Sequence, residues 1–188
     1  CVLHYIENTS VCKTGEVILL DVGAEYANYN ADMTRVIPVN GRFTKRQKDV
    51  YNAVLRVKRA AYKLLRTGTI YFDYHKEVQK VMEGELMKLK LIDKTDIKNQ
   101  HPEKPAVMKY FMHGTGHHLG LDVHDTGNMF SKMKEGMVWT VEPGIYIKEE
   151  GLGIRLENNV VITKTGLHDL MKNIPIEAEE IEDLMNSK

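Results

Sequence analysis

The chain has 188 residues, 26 Lys+Arg against 26 Asp+Glu, and 43% hydrophobic content. That length points to one domain with a real core, and zero formal charge leaves no bulk field to draw it onto nucleic acid or an anionic membrane. The composition excludes a disordered or collagen-like chain. The longest apolar run, residues 17–20, falls far short of the ~20 residues of a spanning helix.

Residues 2–9 read as a short strand, Val-Leu-His-Tyr-Ile, running into Glu7-Asn8-Thr9-Ser10. After a turn at Thr14-Gly15, residues 16–22 form a nearly all-apolar strand, expected to be buried on both faces. Gly23 ends it, and residues 26–39 read as a second, bulged strand that stops at Pro38 and the Asn40-Gly41 turn. The hydrophobic period then changes. Thr44 with Gln47 three residues on is a capping box, and Val50, Val54, Val57, Ala61, Leu64 and Leu65 follow at helical spacing. A helix is therefore predicted over 45–66, with Gly68 as its stop. A second is predicted over about 73–89, with Val78, Val81, Met82, Leu86 and Leu89 on one face. Residues 94–105 are polar and read as a loop. Residues 137–147 are strand-like with a break at Pro143-Gly144, 154–163 form another strand, and 176–185 carry an acidic amphipathic helical pattern. The basic clusters Lys45-Arg46-Lys48 and Arg56-Lys58-Arg59 read as a solvated helix face, so nucleic acid and membrane are not expected partners.

One order of features occurs twice: apolar strand, acid, small-residue break, then an acid near an arginine, then an apolar run. The first copy holds Asp21, Gly23, Asp32 and Arg35, and the second Glu142, Gly144, Arg155 and Glu157. This predicts two pseudo-equivalent hairpins in one sheet. An ionised carboxylate beside such apolar runs is expensive unless paired or metal-bound. For a single acid the simpler reading is an edge strand facing water or a lysine; four acids in matching hairpins favour a shared cation. Residues 113–125 add four histidines, His113, His117, His118 and His124, threaded with Gly114, Gly116 and Gly120. Glycines let backbone approach something closely. Imidazole and carboxylate together suit Mn, Fe, Co or Zn. A pair of such ions about 3.5–4 Å apart polarises a substrate carbonyl and holds a bridging hydroxide. Residue chemistry thus reaches a dinuclear metallohydrolase, without a substrate.

Five blocks carry a resemblance. Leu-Leu-Asp21-Val-Gly-Ala, Ala-Asp32-Met-Thr-Arg, His113-Gly-Thr-Gly-His117-His118-Leu-Gly-Leu-Asp-Val-His124-Asp125, Val-Glu142-Pro-Gly-Ile-Tyr and Gly-Ile-Arg155-Leu-Glu157-Asn-Asn-Val together resemble the pita-bread (M24) metallopeptidases. That family includes methionine aminopeptidase, prolidase and aminopeptidase P. The His124-Asp125 ending, Val-Leu-His4-Tyr, and Asn173-Ile-Pro-Ile-Glu-Ala resemble the proline-specific branch, most closely aminopeptidase P. The resemblance implies an α+β pita-bread (creatinase/aminopeptidase) fold: a curved antiparallel sheet, helices on its convex face, and a pseudo-twofold. It implies a metal-dependent aminopeptidase that cuts between an N-terminal residue and a following proline by means of a metal-bridging hydroxide. The alternatives are a prolidase acting on Xaa-Pro dipeptides, and a fragment or binding module on the same fold without activity of its own.

The resemblance also implies roles. Asp21 chelates the first metal, Asp32 and Glu157 bridge both, and His117 and Glu142 complete the second; Glu142 also handles the proton of the bridging water. His113 and His124 line the substrate pocket and serve catalysis, His4 is a further pocket histidine, and Arg155 orients Glu157 or neighbouring acids. The ions are taken as Mn2+ first, with Co2+, Zn2+ or Fe2+ as alternatives. His118 is not expected to be a ligand, and His75, His101 and His168 read as surface residues. Family members carry two helices before the strand bearing His4, and proline-specific ones a further N-terminal domain. Residues 1–188 are accordingly expected to be a single, N-terminally truncated catalytic domain, partnered by the remainder of the polypeptide or by self-association. With only Cys1 and Cys12, a reducing cytoplasm is the expected setting.

Overall fold

The computed structural model describes residues 3–187; Cys1, Val2 and Lys188 lie outside the described residues, and with Val2 the start of the strand predicted over 2–9. In chain order the elements are β1 (Val17–Val22), β2 (Glu25–Tyr26), β3 (Tyr29–Asn30), β4 (Met33–Pro38), α1 (Lys45–Leu64), α2 (Tyr71–Lys88), α3 (Lys94–Asn99), β5 (Val138–Val141), β6 (Gly144–Ile147), β7 (Leu152–Arg155), β8 (Asn158–Thr163), β9 (Gly166–Asp169) and α4 (Ala178–Asn186), with short 3-10 turns at Ala106–Lys109 and Lys148–Glu150. This is the α+β class expected.

Every pairing is antiparallel: β1 with β4, β2 with β3, β8 between β5 and β9, and β6 with β7. The ladders do not run as one continuous sheet. They break where the site residues lie, and single bonds stitch them: Glu157 N–H donates to Thr34 O at 3.1 Å, and Leu156 N–H to Pro143 O at 3.2 Å. α1 opens with the expected capping box, Thr44 and Gln47 each accepting from the other's backbone N–H. Its apolar stripe, Val50, Val54, Val57 and Ala61, is fully buried against a core that includes Val141, Ile145, Ile154, Val160 and Ile162. α2 packs beside α1, and α1 contacts β5, β6 and β7. No helix among the described residues is long and apolar enough to cross a membrane.

Several expectations are corrected. Residues 3–9 form no strand, because among the described residues no ladder reaches them. β1 is not buried on both faces: Leu20 is 39% and Val22 50% exposed, since β4 is its one partner and nothing described covers its outer side. The run 26–39 is broken at its start, where Ala27 and Asn28 both take positive φ (52° and 71°). Two consecutive left-handed residues are what a tight two-residue hairpin turn demands, so β2 folds back on β3. Residues 154–163 form two strands, parted at Leu156-Glu157 where the backbone turns toward Thr34. The stretch 94–105 contains α3, started by Asp93, whose carboxylate accepts from Thr95 and Asp96 N–H. The solvated reading of α1 fits Arg46, Lys48, Arg56 and Arg59, which pair with Glu150, Glu182, Glu85 and Glu177. Lys58 departs from it. It is 2% exposed, and burial pushes its amine down to about 7 as it donates to Tyr62 Oη at 2.5 Å.

Candidate metal centre

Asp32, Glu142 and Glu157 lie just off strand ends, before β4, between β5 and β6, and between β7 and β8, and register brings these ends together. Asp21 lies opposite Thr34, and Gly144 opposite Arg155. The result is a cavity of about 290 Å³ lined by Asp21, Asp32, His113, His117, Glu142 and Glu157, with His4, His124 and Arg155 also in its wall. Ligand-type atoms of Asp21, Asp32 and Glu157 lie within 4.8 Å of one another, as do those of His117, Glu142 and Glu157, and those of Asp32, His117 and His124. His117 Nε2 is 3.5 Å from both Asp32 Oδ2 and Glu142 Oε1.

Charged and polar neighbours fix these groups. Arg155 Nη2 donates to Asp21 Oδ2 at 2.5 Å, its Nε to Thr34 Oγ1 at 3.0 Å, and its Nη1 to Tyr146 Oη at 3.1 Å. Thr34 then donates its hydroxyl to Glu157 Oε2 at 2.6 Å, so Arg155 reaches Asp21 directly and Glu157 through Thr34. Asn159 holds the Asp32 backbone from both sides, accepting its N–H at 3.0 Å and donating to its C=O at 2.6 Å. His113 is committed at both ring nitrogens, Nδ1 to Gly114 O at 2.8 Å and Nε2 to Tyr146 Oη at 2.9 Å. Because Gly114 O only accepts, Nδ1 carries the proton and Nε2 accepts from Tyr146. His124 is exposed, its ring edge-on to His117 at 4.3 Å between centroids.

Burial pushes the Glu157 carboxyl up to about 8, with repulsion from Glu142 and Asp32 added, and pushes Glu142 up to about 7 against the opposing pull of His117 and Arg155. Asp21 is raised by burial although Arg155 opposes it. His113 is driven down to about 4 by burial, whereas His117 is raised because Asp32, the His118 carbonyl and Glu142 outweigh its burial. Asp21, Glu142 and Glu157, crowded until they resist ionisation, mark a site that lacks positive charge. Glu157 Oε1 is fully buried and has no hydrogen-bond partner among the described residues. A buried carboxylate oxygen left so calls for a cation, and the oxygen-plus-imidazole donor set fits a divalent metal.

The loop carrying the histidines depends on its glycines. A Cβ at Gly116 would lie 2.0 Å from Thr140 O, and one at Gly114 2.3 Å from Tyr71 Oη. That approach lets His117 N–H reach Thr140 Oγ1 at 3.0 Å and Glu142 N–H reach Thr115 O at 2.9 Å. His118 packs on Trp139 at 4.1 Å, away from the cavity wall, and His101 and His168 are exposed. His75 is not a surface residue. It is partly buried under the loop, its Nδ1 2.8 Å from Thr115 Oγ1, because α2 turns it inward beside Tyr71. Sequence reasoning also passed over Thr34, Tyr146 and Asn159. Thr34, Tyr146 and Asn159 stand two, four and two residues from Asp32, Glu142 and Glu157, a spacing present in the sequence.

An antiparallel α+β scaffold that gathers acids and histidines in this way is that of a metallopeptidase. The description of metallopeptidase family M24 matches residues 1–164, and the chain belongs to that family. It is 40% identical over 199 residues to the Xaa-Pro aminopeptidase of Escherichia coli K12, covering 98% of this chain and 44% of that protein. To human Xaa-Pro aminopeptidase 3 it is 39% identical over 193 residues, covering 97% of this chain and 38% of the relative. Its fold, the pita-bread fold, is similar to that of zinc-substituted E. coli aminopeptidase P in complex with product, with a TM-score of 0.90 at 40% identity over 98% of this chain and 44% of that one. The chain thus spans less than half the length of these relatives.

Proposed function

We propose that this chain is the catalytic domain of a metal-dependent aminopeptidase that hydrolyses the bond between an N-terminal residue and a following proline. The observation that carries the reading is the cavity in which Asp21, Asp32, His117, Glu142 and Glu157 converge, with Glu157 Oε1 buried and unpartnered. These five residues would hold two divalent ions, Mn2+ before Co2+, Zn2+ or Fe2+. Bound there, such ions polarise a substrate carbonyl and make a shared water a nucleophile near neutral pH. The chain's own groups do the rest. Glu142, facing the cavity, takes and returns a proton during turnover. Arg155 and Thr34 keep Asp21 and Glu157 aimed inward. His113 stays neutral, and its unprotonated Nε2 offers a lone pair to a substrate N–H or O–H that displaces Tyr146. His124 and His4 meet the proline side and the remainder of the pocket wall. One continuous core supports a single domain, and the cysteine-poor sequence, with Cys12 exposed, fits the cytoplasm.

The test is metal analysis of the purified chain alongside cleavage of an Xaa-Pro dipeptide and a longer Xaa-Pro peptide. Bound divalent metal with cleavage of the longer peptide is expected. Cleavage of the dipeptide alone indicates a prolidase, and metal binding with no cleavage of either indicates a metal-holding module without activity of its own.

A further inference from the structure

We propose that His75 is a positioning residue of this metal centre, pinning the Thr115 hydroxyl and through it the backbone that carries His113, His117 and Glu142. The inference rests on the metallopeptidase reading above. Thr115 is fully buried and stands two residues from both His113 and His117. Its side chain bonds His75 Nδ1 at 2.8 Å, and its carbonyl accepts the Glu142 N–H at 2.9 Å. One residue therefore ties together three groups of the site, and His75 is the hydrogen-bond partner of its hydroxyl.

The pin is itself rigid. Tyr71 and His75 are one helical turn apart on α2, and their rings stack at 5.9 Å with 3° between planes. Tyr71 stacks in turn on Trp139 at 5.5 Å. On its other side His75 meets Phe111 at 5.7 Å, and Phe111 meets His113 edge-on at 5.0 Å. The ring is thus fixed by aromatic contacts that continue to His113 itself. Removing its nitrogen leaves the Thr115 hydroxyl a buried orphan, and the loop gains freedom where the ligands are attached. Outer partners of metal ligands carry 10- to 100-fold in metal affinity or activity.

The experiment compares the full chain with His75→Phe, Thr115→Val, the double variant and His75→Asn. His75→Phe keeps the packing and loses the polar atom; Thr115→Val is isosteric. Mn2+ binding is read by calorimetry, and kcat and KM on a longer Xaa-Pro peptide are read separately. Each single change is expected to weaken Mn2+ binding and lower kcat by about tenfold with KM unchanged. The double variant falls no further than the weaker single, because both remove the same bond. His75→Asn, which restores a polar atom near Nδ1, recovers most of the loss. Multiplying losses in the double variant, or unchanged Mn2+ affinity in folded Thr115→Val, overturns the proposal. If His75→Phe does not fold, Thr115→Val and His75→Asn still decide it. A wild-type chain that binds Mn2+ but cleaves no Xaa-Pro peptide refutes the functional reading, while the Mn2+ isotherms of the variants still judge the pin. A wild-type chain that binds none of Mn2+, Co2+, Zn2+ and Fe2+ refutes both.

Discussion

Raising the pH from 5 to 7 should destabilise this chain when a chelator keeps metal away. Glu157 and Glu142 have folded values of about 8 and about 7 against an ordinary 4.5. Across that interval the folded state holds protons that the unfolded state has released, so stability falls as pH rises. Each pH unit of such a difference is worth about 1.4 kcal/mol. Over this window Glu157 and Glu142 each lose roughly 2 kcal/mol by that rule. His113 acts oppositely. Its folded value of about 4 lies below the ordinary 6.5, so its unfolded form is the one holding the proton, and it returns about 2 kcal/mol as pH rises. Lys58, lowered to about 7, begins to stabilise only near the top of the window. The raised values of His117 and Asp21 add to the loss, and the lowered values of His75 and His118 oppose it. The net is a fall of roughly 2 kcal/mol between pH 5 and pH 7. Urea midpoints in EDTA at pH 5, 6 and 7 measure it. Excess Mn2+ should flatten or reverse the slope, because the cation replaces the protons. A midpoint that rises with pH in EDTA would refute the account of a cluster short of positive charge.

Glu142→Gln should lower kcat by roughly 10²–10³ with KM changed only a few-fold, since proton transfer acts in the transition state; a proportional rise in KM tells against that role. His124→Ala should cut kcat/KM roughly tenfold on Xaa-Pro peptides and less on any proline-free peptide the enzyme accepts, and equal loss on both removes His124 from proline recognition. Gly116→Ala should cost roughly 2–4 kcal/mol, because its Cβ would meet backbone at Thr140. The contrasting Gly84→Ala sits mid-helix on α2 with open space around its Cβ and should stabilise by up to about 1 kcal/mol. Equal urea midpoints for the two would contradict the loop geometry.

The acids of the site were legible because each violates a local rule: Asp21, Glu142 and Glu157 interrupt apolar strands that would exclude them without a partner. α1 was legible down to its cap, since Thr44 and Gln47 are local partners. What stayed hidden depends on distant residues. Lys58 and His75 look like surface side chains by period and composition. Yet the Tyr62 hydroxyl that receives Lys58 is oriented by Asp169, and the Thr115 that receives His75 is 40 residues away. The half-exposed face of β1 was misread for the same reason, because an apolar strand carries no mark of how many neighbours it has. α3 was missed for a different cause. Its Asp93/Asp96 cap is a local signal, overlooked in a stretch read as polar loop.

The bonds that close the site also set the order in which the chain can assemble it. Thr34 to Glu157, Asp32 to Asn159 and Arg155 to Asp21 join residues 123, 127 and 134 apart in sequence. The β1–β4 ladder, by contrast, pairs Asp21 with Thr34. Closing the longer loops costs about 2 kcal/mol more chain entropy than closing that ladder. Each hairpin can therefore form on its own, early, while the cavity exists only once the two halves have docked. Refolding should then proceed in two kinetic phases, with recovery of metal binding confined to the slower one.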